Sequence, residues 1–65
     1  MIEYKVVFPG SRKMWTTDLS LIKNYSKLLK EDCFKLYSQA TIWVKKDGKT
    51  EFFDLDTWLK ENDLV

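Results

Sequence analysis

The stretch TIWVKKDGKTEFFD constrains the fold of this chain more than any other segment. A two-residue type I′ turn needs positive φ at both central positions, and an Asp-Gly pair adopts this conformation at low cost. The pair therefore predicts a β-hairpin whose register is fixed by the turn. Trp43 then lies opposite Phe52 on one face of the hairpin. Ile42 lies opposite Phe53 on the other face, so the apolar side chains are divided between both faces.

The N-terminal segment predicts a first hairpin. Residues 2–8, IEYKVVF, alternate as in a half-buried strand, with Tyr4 and Val6 on one side and Lys5 on the other. The following PGSR has turn chemistry, because Pro fixes φ and Gly tolerates positive φ. KMWTT can then run back as a short second strand.

The middle of the chain predicts one continuous amphipathic helix from residue 18 to about residue 32. Thr17 or Asp18 can cap its first free N–H groups. At 100° per residue, a mostly apolar set of side chains collects on one side, and this side should pack on a sheet. The set comprises Leu21, Ile22, Tyr25, Leu28, Leu29 and Cys33.

The order of elements predicts an α+β fold. After the second hairpin, Asp54 or Asp56 can cap a short C-terminal helix through DTWLKEN. Two hairpins flanking one helix most simply give a four-stranded sheet with the helix across one face. This ββαββ order resembles a β-grasp arrangement, as in ubiquitin-like and immunoglobulin-binding bacterial domains, over residues 2–55. We therefore expect residues 1–65 to form a single small domain, with the short C-terminal helix as an addition.

The β-grasp arrangement implies an open sheet face that could bind a partner. Its first and last strands would pair in parallel, giving the spatial order two, one, four, three. One apolar row then crosses all four strands on the side away from the helix, and exposed apolar patches of this kind mark interaction surfaces. The alternative is that the C-terminal helix folds back and covers the row with Trp58 and Leu64. The predicted partner-binding row comprises Val7, Met14, Trp43 and Phe52.

Composition argues against catalysis and against metal binding. A domain of 65 residues has little room for a pocket that could separate the pKa values of a carboxylate pair. The chain has no histidine and one cysteine, Cys33, which removes the commonest general base, the Ser-His and Cys-His constellations and most zinc sites. We therefore expect a protein that is not an enzyme and that holds neither a metal nor another cofactor.

The distribution of charge raises nucleic acid as a second class of partner. Residues 1–50 carry a net charge of +5 and residues 51–65 a net charge of −4. SRKMW and WVKKDGK combine cations with aromatics, so they could contact phosphates and stack on bases. In the β-grasp layout these two turns lie at opposite ends of the sheet, which favours solvated edge charge instead. The candidate phosphate contacts are Arg12, Lys13, Lys45, Lys46 and Lys49.

One segment resembles a DNA-binding family. KTEFFDLDTWLKEN is similar to the wing strand and the following Leu-x-x-Trp-Leu helix of excisionase-like winged-helix proteins. The resemblance implies that Lys45, Lys46 and Lys49 lie on a wing against phosphates. It covers the last third of the chain. Upstream, the family has two short helices separated by a turn, where we expect one continuous helix.

Together these features predict a non-catalytic protein-binding module, an inhibitor or an adaptor, that binds another protein through the open face. The alternative is a small excisionase-like winged-helix DNA-binding protein. The apolar runs are too short to span a bilayer, and the N-terminus lacks the pattern of a secretion signal. We therefore expect no membrane contact and a cytoplasmic location. A lone domain of this size would suit an accessory protein encoded by a phage or a mobile element.

Overall fold

A computed structural model describes residues 1–11 and 14–64 of the chain. In this part of the chain the elements follow in the order β1 (Ile2–Val7), α1 (Leu19–Asp32), α2 (Phe34–Gln39), β2 (Thr41–Lys46), β3 (Lys49–Asp54) and α3 (Leu55–Glu61). The strands form one antiparallel sheet and the helices pack on one of its faces, so the protein is a small α+β domain. None of the described helices is long and apolar enough to cross a membrane.

β2 and β3 form the predicted hairpin. Asp47 and Gly48 have φ values of 52° and 79°, and positive φ at both positions is what a type I′ turn requires. The register agrees with the prediction along both strands, and Trp43 lies opposite Phe52. This agreement confirms the predicted hairpin. The prediction was possible because the turn residues fix the register of the two strands without long-range contacts.

The sheet order is β1-β2-β3, which differs from the predicted β-grasp order. β1 pairs with β2 in antiparallel orientation, and not in parallel with β3. In the described residues, the predicted second strand is reduced to a single bridge between Tyr4 and Thr16, with N···O distances of 2.7 and 2.8 Å. The alternation of apolar residues indicates which face of β1 is buried, but it does not indicate which strand β1 pairs with. The side chain of Val6 could pack beside Ile42 of β2 or beside Phe53 of β3.

α1 agrees with its predicted boundaries, and a further helix follows it. The Asp18 carboxylate caps α1 by accepting a hydrogen bond from the Ser20 N–H at 2.8 Å. The helix ends at Cys33, whose N–H donates to the Leu29 carbonyl, and α2 begins with the next residue. α2 was not predicted, since its six residues have no side-chain cap and are too few to show a helical period.

α1 buries a narrower stripe than its sequence pattern indicates. Ile22, Ser26 and Leu29 are buried at positions i, i+4 and i+7. The side chains of Leu21 and Leu28 are 57% and 56% exposed, so their predicted place in the core was wrong. A sheet of three strands covers less of α1 than the predicted sheet of four strands, and the two leucines lie beside the contact.

α3 packs on the same face of the sheet as α1 and α2. The Asp54 carboxylate caps it by accepting a hydrogen bond from the Thr57 N–H at 3.1 Å. The ring centroids of Trp58 and Tyr4 are 5.7 Å apart on this helical side of the sheet. One core results, and it comprises Val6, Ile22, Leu29, Tyr37, Ala40, Ile42, Leu55 and Leu59.

Candidate functional site

The sheet has an open face on the side opposite the helices. Because side chains alternate along each strand, the residues that flank the buried Val6 and Ile42 point away from the core. We define the open face by these side chains from all three strands, together with Trp15, which precedes the bridge residue Thr16. Its members are Glu3, Lys5, Val7, Trp15, Thr41, Trp43, Lys45, Thr50, Phe52 and Asp54.

A stacked aromatic pair lies at the centre of the open face. Trp43 and Phe52 are directly opposite each other on β2 and β3, with ring centroids 5.6 Å apart and planes inclined by 27°. The Trp43 indole N–H donates a hydrogen bond to the Thr41 hydroxyl at 3.1 Å, which fixes the orientation of the ring. Phe52 is 67% exposed, so the pair presents apolar surface to solvent.

Two lysines extend the aromatic pair into a mixed cluster. The Lys5 Nζ atom lies 4.6 Å from the Trp15 ring centroid and 5.1 Å from the Trp43 ring centroid, so one ammonium contacts both indoles. The Lys45 Nζ atom lies 5.6 Å from the Trp15 ring centroid. These distances are typical of cation–π contacts, in which the charge is attracted to the electron-rich ring. We call Lys5, Trp15, Trp43, Lys45 and Phe52 the aromatic-lysine cluster.

Three of the four predicted contact residues lie on the open face. Trp43 and Phe52 form its centre, whereas Val7 belongs to the neighbouring row, opposite Thr41. The place beside Trp43 is taken by Lys5, since β1 pairs with β2 in this antiparallel register. The row that crosses the three strands therefore consists of Lys5, Trp43 and Phe52. The predicted row was apolar throughout.

Met14 lies on the face opposite to the predicted one, and Trp15 takes a place on the open face. The bridge between Tyr4 and Thr16 places these two residues on the same side of the sheet, which is the helical side. Trp15 then falls on the open face, and the exposed Met14 lines a shallow groove with Ile22 of α1. A shift of one residue in the pairing exchanges the two faces of a strand, and the first turn does not fix its register as the Asp-Gly turn does.

The candidate phosphate contacts do not form one cluster. Lys45 lies on the open face, whereas Lys46 and Lys49 lie opposite each other on the helical side of the hairpin. Arg12 and Lys13 lie outside the described residues. The three lysines of the hairpin therefore point to two different sides of the sheet.

None of the described helices covers the open face. Trp58, one of the two expected lid residues, contacts Tyr4 on the helical side, and Leu64 packs against the core. The alternative in which these side chains cover Trp43 and Phe52 is therefore not observed. In residues 1–11 and 14–64, no group of three or more His, Cys, Asp or Glu side chains is placed to hold a metal ion.

No model of a protein family, no curated protein and no solved structure matches this chain. The geometry of the open face is therefore the basis for the function proposed below.

Proposed function

We propose that this protein is a non-catalytic binding module, an inhibitor or an adaptor, that contacts another protein through its open face. The observation that carries the proposal is the aromatic-lysine cluster, on a side of the sheet that none of the described helices covers. Phe52 and Trp43 stand side by side there, and association with a partner would remove their apolar area from water.

The chemistry of the cluster indicates what the partner presents. Aromatic side chains are favoured at the centres of interfaces because they bury a large area with few rotatable bonds. Lys5 and Lys45 contact indole rings, so their ammonium groups are already positioned before binding. A matching partner surface has an apolar pocket for Phe52 and carboxylates that reach the two lysines.

The proposal is tested by replacing both rings of the central pair in one variant, Trp43→Ala with Phe52→Ala. We expect this variant to lose partner capture from a lysate of the source organism, with and without nuclease treatment. Its loss of stability should exceed the roughly 1 kcal/mol of a cross-strand contact, because Phe52 is exposed but Trp43 is half-buried. Phe34→Ala is the matched control, because Phe34 is 62% exposed on the helical side.

Support requires that wild type and Phe34→Ala capture the same protein, and that its contacts map to the open face by NMR shift perturbation. Equal capture by wild type, the double variant and Phe34→Ala would place the partner surface elsewhere. Unfolding of the double variant would show that Trp43 and Phe52 belong to the core, which would remove the basis of the proposal.

Nucleic-acid binding is the second candidate, and one contact favours it. The Lys45 Nζ atom reaches the Trp15 ring, so one residue from each of the two cation-aromatic segments, expected at opposite ends of the sheet, meets the other on the open face. Aromatic rings and lysines on a sheet can bind single-stranded nucleic acid by stacking and phosphate contact.

The excisionase-like alternative is also favoured by α2, a second helix before the hairpin. We place protein binding first, since Lys5 occupies one side of the two indoles on which bases would stack.

Salt dependence separates the two candidates. Several phosphate contacts would weaken oligonucleotide binding by roughly 10³-fold or more between 50 and 200 mM salt. We expect no binding at physiological salt, measured by fluorescence anisotropy with labelled single-stranded and duplex DNA. Tight, salt-dependent binding that Lys45→Glu abolishes would make nucleic acid the ligand of the open face. Loss only on changing Lys46 and Lys49 to Glu would favour the winged-helix alternative.

A further inference from the structure

A groove lies among α1, α2 and α3 on the helical side of the molecule. Its volume is about 600 Å3, which is within the range of pockets that bind small organic ligands. The Lys30 Nζ atom lies 5.5 Å from the Tyr37 ring centroid, so one ammonium is held at the edge of the apolar wall. This wall comprises Phe34, Tyr37, Leu59 and Leu64.

The groove also contains a buried polar atom without a partner. Ser26 lines the groove and is 1% exposed, and its hydroxyl makes no hydrogen bond with any of the described residues. An unpaired buried hydroxyl lowers stability, because it loses its hydrogen bonds to water on folding. A ligand that accepts a hydrogen bond from Ser26 would remove this penalty. The hydroxyl therefore indicates where the polar group of a ligand lies.

Lysines flank this hydroxyl along α1. Lys23 and Lys30 lie three residues before and four residues after Ser26, which places all three side chains in one stripe of the helix. Lys27 and Glu31 also line the groove, and their charges offset each other. The polar strip along α1 therefore keeps a net positive charge, which favours an anionic ligand.

We propose that the groove binds an amphiphilic carboxylate, such as the anion of a medium-chain fatty acid. The carboxylate accepts a hydrogen bond from the Ser26 hydroxyl and lies between the ammonium groups of Lys23 and Lys30. The alkyl chain packs against the apolar wall, where its burial contributes to the affinity. The groove and the open face are on opposite sides of the sheet, so this proposal does not depend on the proposed function.

The probe is sodium decanoate below its micellar concentration, titrated into 15N-labelled protein and followed by NMR. We expect saturable shift changes at Ser26, Tyr37 and Leu59, and no change at Trp43 on the open face. Acetate, which lacks the chain, and decanol, which lacks the charge, should each bind about tenfold more weakly or worse. No saturable change up to the micellar limit, or equal binding of decanol, would overturn the proposal.

Two variants separate a ligand contact from a structural role. Ser26→Ala removes the unpaired hydroxyl, so its urea midpoint should equal or exceed that of wild type, while decanoate affinity falls about fivefold or more. Lys30→Glu should weaken binding about tenfold or more through charge reversal beside the carboxylate. Lys46→Glu is the control, with the same change of charge on the exposed hairpin, and should change the affinity less than about twofold.

The variants also define how the proposal would fail. Ser26→Ala that binds decanoate as tightly as wild type would show that the hydroxyl takes no part in binding. Lys46→Glu that weakens binding as much as Lys30→Glu would show that decanoate responds to overall charge, without a site in the groove. Either result overturns the assignment.

Discussion

The contact between α2 and α3 offers a sharp test of packing on the helical side. The Tyr37 hydroxyl donates a hydrogen bond to Asp56 Oδ1 at 2.8 Å, and the Lys60 Nζ atom lies 2.9 Å from Asp56 Oδ2. Tyr37 itself is 3% exposed and belongs to the core. Tyr37→Phe removes one hydroxyl and keeps the ring, so it tests this hydrogen bond without opening a large cavity.

The size of the effect follows from the charge of the acceptor. A hydrogen bond to a charged group contributes about 1.5–3 kcal/mol. The Asp56 side chain is 34% exposed and keeps Lys60 as a partner, so its carboxylate is not left unsatisfied in the variant. We therefore expect the lower end of the range, a loss of about 1.5 kcal/mol at pH 7. With an m value of about 1 kcal/mol/M for a small domain, the urea midpoint should fall by about 1.5 M.

Because of this hydrogen bond, the difference in the free energy of unfolding between wild type and Tyr37→Phe should depend on pH. The pKa of the Asp56 carboxyl is lowered because it accepts hydrogen bonds from Lys60 and, to a smaller extent, from Tyr37. A carboxyl group whose pKa is lower in the folded state stabilises the protein at pH values above its unfolded-state pKa, which is about 3.9. This stabilisation is lost as the pH falls through the folded-state pKa. Burial and the contact with Asp56 raise the pKa of Tyr37, so its hydroxyl remains a donor at neutral pH.

Urea unfolding of wild type and Tyr37→Phe at pH 7 and at about pH 2, followed by tryptophan fluorescence, measures both effects. The difference in stability should shrink at the lower pH, where Asp56 is protonated and the hydrogen bond has lost its charged acceptor. A difference of equal size at both pH values would show that the hydroxyl acts through packing and not through Asp56. Equal midpoints at pH 7 would refute the hydrogen bond itself.

The face of α1 and the cap of α3 give two further predictions. Leu29→Ala should lower the free energy of unfolding by about 2–5 kcal/mol, because Leu29 is buried, whereas Leu28→Ala at an exposed position should cost less than about 1 kcal/mol. Thermal melting compares this matched pair, and equal costs would contradict the observed helix face. Asp54→Ala should cost about 1 kcal/mol through loss of the cap, whereas Asp54→Asn keeps an acceptor and should cost little. Equal losses for the two Asp54 variants in urea unfolding would exclude the cap as the cause.

Local chemistry explains which parts of the fold could be predicted from the sequence. The Asp47-Gly48 turn sets the conformation of two residues and, through them, the whole register of the hairpin. Asp18 and Asp54 cap the following helices through N–H groups two and three residues away. Each of these interactions is complete within a few residues of chain, so the residue types that form it are adjacent in the sequence.

The neighbour of β1 and the presence of α2 depend on contacts that are distant in the sequence. The alternation that places Val6 on the buried face agrees with pairing to either arm of the hairpin. α2 has no side-chain cap and is too short to show a helical period, and the hydroxyl of its buried residue Tyr37 donates a hydrogen bond to Asp56, 19 residues further along the chain. Tertiary contacts of this kind are not encoded in any short pattern, which is why both features were missed.

The candidate site also has one part that depends on local chemistry and one part that depends on contacts distant in the sequence. Trp43 and Phe52 could be predicted as a pair, because the Asp-Gly turn places them opposite each other. The sequence favours solvated edge charge for Lys45 and predicts no contact for Lys5, since spacing in the sequence does not show that either lysine would reach the Trp15 ring. That contact depends on the bridge at Thr16 and on the order of the strands, and neither is a local property.

The two faces of the sheet are stabilised in different ways, and the difference bears on function. Three helices cover one face, and none of the described elements remains to cover the other face. On the open face, the half-buried Lys5 contacts the half-buried rings of Trp15 and Trp43, and a cation–π contact contributes about 0.5–1 kcal/mol at an exposed site and about 2 kcal/mol when it is desolvated. Burying one large apolar side chain in the core contributes about 1.5–3 kcal/mol. Phe52 is 67% exposed, so it gains little of this burial energy on folding, and the proposed binding of a partner would account for its position.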